Sequence, residues 1–319
     1  MKSAPPLYVG FGMLTPVEIL VVDHLPDHNT GAISTDVTEF IFDDAAIVAC
    51  LLRQWDVPTC MIGSALGDDA RGHNVARTLE EWGVQGTVRF SKEFKTPLEV
   101  DVSDKTGART YFWQRTEQVL DTLDTADLSC MEGARILYVD WYDGDHIVRA
   151  MDEAIHRDIP VFLNFEHGHI DPKLLSAYGG RATICQAVTD AAQLGNEAPL
   201  DVARKLLRAG VKTALITMAG DGCLAVQNNE MVRVHAPVVQ AIDGCGAGAT
   251  FSAGYAYGYL KGWSLMDTLR FATAAASLKV TRAGLQMFSV PEIQALAAKL
   301  RVEQAALADA TADSPSLPR

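Results

Sequence analysis

Residues 242–258 read IDGCGAGATFSAGYAYG, and their spacing is suited to binding an anion. Gly246, Ala247 and Gly248 stand directly before an apolar helix pattern of small residues. Such a turn points unpaired backbone amides out of the positive end of a helix dipole, which suits a phosphate or a developing negative charge. A second reading is a tight strand-to-helix connection whose small residues serve close packing. Asp243 fits either reading, as a ligand or as a local cap of the turn. Ala249 is the conspicuous gap. At the first helical position, where an acid or base would meet a bound substrate, it offers a methyl group. His24, His28, His167 and His169 fall in loops without ligand spacing, so no metal site is read from them.

The elements around this turn set its context. LYVGFG is a buried strand running into a turn, and GAISTDVTEFIF alternates like a half-exposed strand. AAIVACLLRQW is apolar around most of its circumference and predicts a buried helix. DDARGHNVARTLEEWGV predicts an amphipathic helix closed by Gly83. TPLEVDVSDKTGARTYFWQR predicts a hairpin turning at DKTGA, with Tyr111, Phe112 and Trp113 covering the small sheet or a dimer contact rather than a substrate. From about Ala134 strands and helices alternate, and GCLAVQNNEMVRVHAP adds a hairpin at Asn228–Asn229. The repeating order predicts a mostly parallel sheet with helices on both faces. The early alternating strands form a separate small sheet able to cover one edge as a lid.

Composition narrows the function classes. The chain has 319 residues, 48% of them apolar and 21% charged, which suits one large domain with an appendage. Its formal charge of −13 leaves no basic face for nucleic acid. No apolar run is long enough for a membrane span, and the N-terminus lacks signal-peptide grammar. The six cysteines are scattered, so buried reduced thiols and a cytoplasmic location are expected. Residues 305–319 are small, polar and proline-capped, and are expected to be a disordered tail beyond a single domain of residues 1–304.

Residues 242–258 also resemble the C-terminal signature of the ribokinase-type (PfkB) sugar kinase family, an Asp-Thr-x-Gly-Ala-Gly-Asp turn opening a helix. Asp243, Gly246, Ala247 and Gly248 match, and Gly244 and Cys245 replace the Thr-x pair. The resemblance runs over roughly residues 7–300. IGSALGDDARGHNVARTLEEWGV is similar to the family's Gly-Asp-Asp helix, VVDHLP to the approach to its first lid strand, and AAASLKVTRAG to the adenine-flanking helix and loop. ALITMAGDGCLAV is similar to the strand beside the nucleotide, with Thr217 and Gly222 kept. The resemblance implies a ribokinase-like, Rossmann-type three-layer α/β/α body with a small β-sheet lid, whose strands span about 15–43 and 96–115. It also implies ATP and magnesium as cofactors, with Asp243, Gly246, Ala247, Gly248, Thr217 and Gly222 on the nucleotide side. Asp43, Asp44, Asp140 and Glu166 become candidates for the substrate cleft.

The departures bear on activity. The family's catalytic Asp is Ala249 here, and loss of a positioned base costs ~10²–10⁴ in rate. Val17 takes the place of a sugar-gripping Asp, with Glu18 beside it on the opposite face of the strand. Ile41 and Phe42 replace two glycines, and Ala46 an Asn. Asn164, Glu166 and Gly168 replace an Asp-x-Asn-x-Arg. Gln186 and Thr189 replace the Asn-x-x-Glu that organises magnesium. The expectation is weak or absent kinase activity. Its rivals are a kinase for an unusual substrate, with Glu166 or Asp243 as base, and a ligand- or partner-binding module, with a homodimer through the lid.

Overall fold

The computed structural model describes residues 5–41, 43–104, 109–189 and 197–307. The chain opens with β1 (Tyr8–Gly12), then leaves the body for β2 (Pro16–Val22) and β3 (Ser34–Ile41). It returns through α1 (Asp44–Gln54), β4 (Thr59–Gly63), the short β5 (Leu66–Gly67), α2 (Ala70–Glu81) and β6 (Phe90–Ser91). A second excursion makes β7 (Leu98–Asp104) and β8 (Arg109–Gln114). Then come α3 (Glu117–Asp121), β9 (Ile136–Asp140), α4 (Val148–His156), β10 (Val161–Glu166), α5 (Pro172–Tyr178) and β11 (Ile184–Val188). The last third comprises α6 (Pro199–Arg208), β12 (Thr213–Thr217), β13 (Cys223–Gln227), β14 (Glu230–Val234), α7 (Ala247–Lys261), α8 (Leu265–Lys279), α9 (Val290–Ala297) and β15 (Val302–Ala306).

The main sheet runs β15-β14-β13-β12-β11-β10-β9-β1-β4. From β4 to β12 every pairing is parallel, and β13, β14 and β15 extend the sheet antiparallel. Alternate strand residues feed two cores. Tyr8, Tyr138 and Phe162 meet α1, α7 and α8 on one face, whereas Val9, Leu137 and Leu163 meet α4 and α6 on the other. The result is the three-layer α/β/α body with a lid. Asn228 and Asn229 both adopt positive φ, as a two-residue hairpin turn demands.

The lid is a four-stranded sheet ordered β3-β2-β7-β8, whose central pair β2–β7 is parallel. Register sets its faces. Val17, Ile19 and Val21 lie opposite Glu99, Asp101 and Ser103, which in turn lie opposite Trp113, Tyr111 and Arg109. This face turns toward the body, where Val17 and Ile19 pack on Cys245 of the glycine turn. The DKTGA turn falls partly outside the described residues.

Two expectations need correction. Cys60 and Cys130 form a disulfide, while Cys50, Cys185, Cys223 and Cys245 are buried free thiols. The two partners lie 70 residues apart, and only the approach of β4 to the segment before β9 brings them together. Ala305 and Ala306, at the start of the segment read as a tail, pair with Met231 and Glu230 in β15.

Candidate functional site

The glycine turn is built as an amide-presenting loop. Gly246 takes φ 72°, a left-handed conformation that favours glycine, and caps α7. The first α-helical bond runs from Thr250 N–H to Gly246 O at 2.9 Å, so the amides of Gly248 and Ala249 precede the ladder. Gly248 is exposed, and a Cβ added there would meet nothing closer than Gln186 Nε2 at 3.9 Å. Backbone and space therefore fit an anion such as a nucleotide phosphate. Ala249 is 1% exposed, its methyl in the core.

Asp243 faces inward, correcting its assignment as a cofactor ligand. Its Oδ2 accepts from Lys279 Nζ at 2.7 Å and Gly284 N–H at 2.9 Å. Its Oδ1 accepts from Ser103 Oγ at 2.7 Å and Cys245 N–H at 2.8 Å. Lys279 also donates to the Asp243 carbonyl, at 3.1 Å. With the carboxylate fully buried and both oxygens engaged, Asp243 ties turn, lid and α8 together.

Gly222 has a structural reason of its own. Its φ is 89°, and a Cβ would fall 2.0 Å from Val234 O, so the close approach that demands glycine is to β14. Thr217 ends β12, with its hydroxyl 3.4 Å from Ala187 O. Gln186 is committed to α7, donating to Gly248 O and accepting from Ser252 Oγ. Neither Gln186 nor Thr189 brings a carboxylate to the place the family uses for magnesium. Ile41 and Ala46 are core residues, Gly168 is wedged against Phe165 and Trp141, and Phe42 lies outside the described residues.

All four cleft carboxylates gather beneath the lid. Asp43 caps α1, accepting from Ala45 N–H at 3.0 Å. Asn164 Nδ2 donates to both Asp44 and Asp140 at 2.9 Å, and Asp140 also accepts from Ala45 N–H at 3.2 Å. A Cβ on Gly12 would stand 2.7 Å from Asp143 Oδ2 and 3.2 Å from Asp43 Oδ2, so glycine there leaves room for two converging carboxylates. Burial, with Asp143 and Asp44 nearby, drives the Asp43 pKa well above the usual range. Burial first, then Asp44 and Asp43, does the same to Asp140. Burial and Glu166 raise Asp44 to about 7, and burial raises Asp143 to about 7. Glu166 closes β10 with φ 43°, a strained conformation for a non-glycine residue.

Above these acids lies a cavity of about 460 Å³, lined by Asp43 and Glu166 from the body and by Glu99, Arg109, Tyr111, Trp113 and Arg115 from the lid. Tyr111 and Trp113, expected to cover the lid, border this cavity while remaining 43% and 56% exposed, and Phe112, on the other face of the strand, is 61% exposed. The sequence reading missed Glu99, Asp101 and Asp143. A signal existed in LEVDVSD, where Glu99, Asp101 and Ser103 recur at the spacing of one strand face. Burial, reinforced by Asp101, lifts Glu99 to about 8.

The family model for the pfkB family carbohydrate kinases matches residues 44–293. The chain belongs to that family. It is 20% identical over 250 residues to an ATP-dependent 6-phosphofructokinase of Thermoanaerobacterium thermosaccharolyticum, covering 74% of this chain and 77% of that protein. It is 23% identical over 276 residues to a nucleoside kinase of Methanothermobacter thermautotrophicus, covering 84% and 87%. Among solved structures, Arabidopsis thaliana ribokinase complexed with ribose and ATP superposes with a TM-score of 0.71 at 22% identity, covering 92% of this pfkB chain and 99% of that one. The ribokinase-like fold is shared.

Proposed function

We propose that this pfkB-family protein binds a nucleotide at the Gly246–Gly248 turn and a small hydroxylated ligand in the lid cavity, with weak or absent phosphoryl transfer to ordinary sugars. The observation that carries the reading is Ala249, whose methyl group is 1% exposed where the family signature places a carboxylate. Loss of a positioned base lowers rate ~10²–10⁴-fold, and positioning with charge stabilisation can still support slow transfer. Bound ATP would supply the transferable phosphoryl group, held by the turn amides. No carboxylate at Gln186 or Thr189 supports a magnesium-organising role, which fits a reduced activity.

A rival kinase reading needs another base. Asp243 serves it poorly, because four donors from protein groups already occupy its oxygens. Glu166, on the cavity wall, is the group that keeps this reading alive. A homodimer through the outer lid face is supported by half-buried Leu20, Val100 and Val102 beside exposed Val37 and Phe112. Four buried free thiols favour a cytoplasmic location, and the Cys60–Cys130 disulfide weighs against it. Among the described residues no helix is long and apolar enough to cross a membrane.

Calorimetry with ATP and magnesium, beside an ADP-coupled assay over sugars and nucleosides, tests the reading. ATP binding with turnover at background is expected. Robust turnover of any acceptor overturns the weak-kinase half, and failure to bind ATP removes the nucleotide half.

A further inference from the structure

The cavity holds acidic oxygens that its own residues leave without a hydrogen-bond partner. Asp43 and Glu99 come from opposite walls, each is 1% exposed, and Asp43 Oδ2 and Glu99 Oε1 have no hydrogen-bond partner. Unpartnered buried carboxylate oxygens are costly, so a site that keeps them is shaped for a donor brought from outside. The cations on the same wall are already engaged. Arg109 lies 3.8 Å from Asp101 and 5.7 Å from the Tyr111 ring centre, and Arg115 lies 5.1 Å from that of Trp113.

The kind of donor follows from the remaining geometry. A bare metal ion needs three or more ligand atoms in close convergence. Among the described residues such a trio occurs only at Asp121, Asp124 and His146, outside this cavity. A volume of about 460 Å³ instead suits a small organic molecule. Trp141 adds a second requirement. Trp141 lines the same space and its Nε1–H is buried without a partner, so a ligand that reaches it must also bring an acceptor such as a hydroxyl.

We propose that the cavity selects a hydroxylated ammonium compound, an amino-polyol of about monosaccharide size, whose cationic nitrogen meets Asp43 and Glu99 while a hydroxyl meets Trp141 Nε1. This rests on the reading that the lid cavity binds a ligand, and it names that ligand's chemical class. A neutral sugar can satisfy Trp141 but brings no charged donor to the two unpartnered oxygens.

The test uses matched pairs on the full chain at low salt: glucosamine against glucose, galactosamine against galactose, and mannosamine against mannose. Calorimetry is expected to show at least one amine binding about tenfold or more tighter than its neutral twin, as a charged hydrogen bond provides. Glu99→Gln is expected to remove most of that preference, and Asp43→Asn, which can still cap α1, gives the same readout if the first variant folds poorly. Neutral sugars that match or exceed their amines in every pair overturn the proposal while the ligand-binding cavity stands. So does a preference that survives both substitutions. Binding of ATP with no sugar of either kind also overturns it and leaves the nucleotide half of the function intact.

Discussion

Ala249 and Asp243 stand six residues apart and depart in two ways from what their motif suggests. At Ala249 the side chain itself is gone. At Asp243 the carboxylate remains, but Lys279, Gly284, Ser103 and Cys245 hold it as an internal bracket. The first loss was legible in the sequence because it is local. The second was not, since Lys279 lies 36 residues away, Gly284 41 and Ser103 140. Ala249→Asp tests how far the damage extends. If Val17 and Ala46 no longer grip a sugar, restoring the carboxylate raises turnover of ribose or glucose by less than about tenfold in the coupled assay. A gain approaching the ~10²–10⁴ that a base supplies shows instead that those positions still accept a sugar.

Helix α7 repeats the lesson at the scale of an element. Its run of Ala and Gly was read as close packing, and Gly254 shows why: a Cβ there would fall 2.6 Å from Ala272 Cα on α8. Two effects oppose each other in Gly254→Ala. Helix propensity favours alanine by about 1 kcal/mol, whereas overpacking against backbone costs about 1–3 kcal/mol. Because backbone cannot swing aside as a side chain can, destabilisation is expected to win, and a rise in the urea midpoint would contradict the packing account. The lid strands were equally legible as alternating segments. Which of their faces meets the body was not, because alternation groups Glu99 with Asp101 and Ser103 but carries no information about what lies opposite. The partnership with Trp113, Tyr111 and Arg109 comes from the pairing of β7 with β8.

For the molecule as a whole, the buried acids tie stability to pH. Glu99 is raised to about 8 by burial and Asp101, with Asp44 adding to it and Arg109 and Trp113 opposing. Asp143 is raised to about 7 by burial, against the pull of Met13 N–H, Arg115 and His146. Acids with raised folded-state pKa values bind more protons in the native state than in the unfolded state. Their contribution is therefore complete below about pH 4 and is lost as pH rises through 7–8, by up to about 1.4 kcal/mol per pH unit for each group. Between pH 5.5 and 8 the unliganded protein is expected to lose more urea stability than a Glu99→Gln/Asp143→Asn variant. Parallel profiles for the two proteins would contradict this linkage.

The routing of the chain also governs how the protein acquires its structure. Strands β2 and β7 are parallel neighbours, yet α1, β4 and α2 of the body lie between them in sequence. A parallel pair needs a crossover, and here the crossover is the first part of the main fold. The lid cannot assemble as an autonomous hairpin ahead of the body. Its central pairing must wait until distant segments are brought together, at the cost of closing a long loop. Completion of the lid, and of the acid-lined cavity beneath it, is thus tied to the folding of α1, β4 and α2.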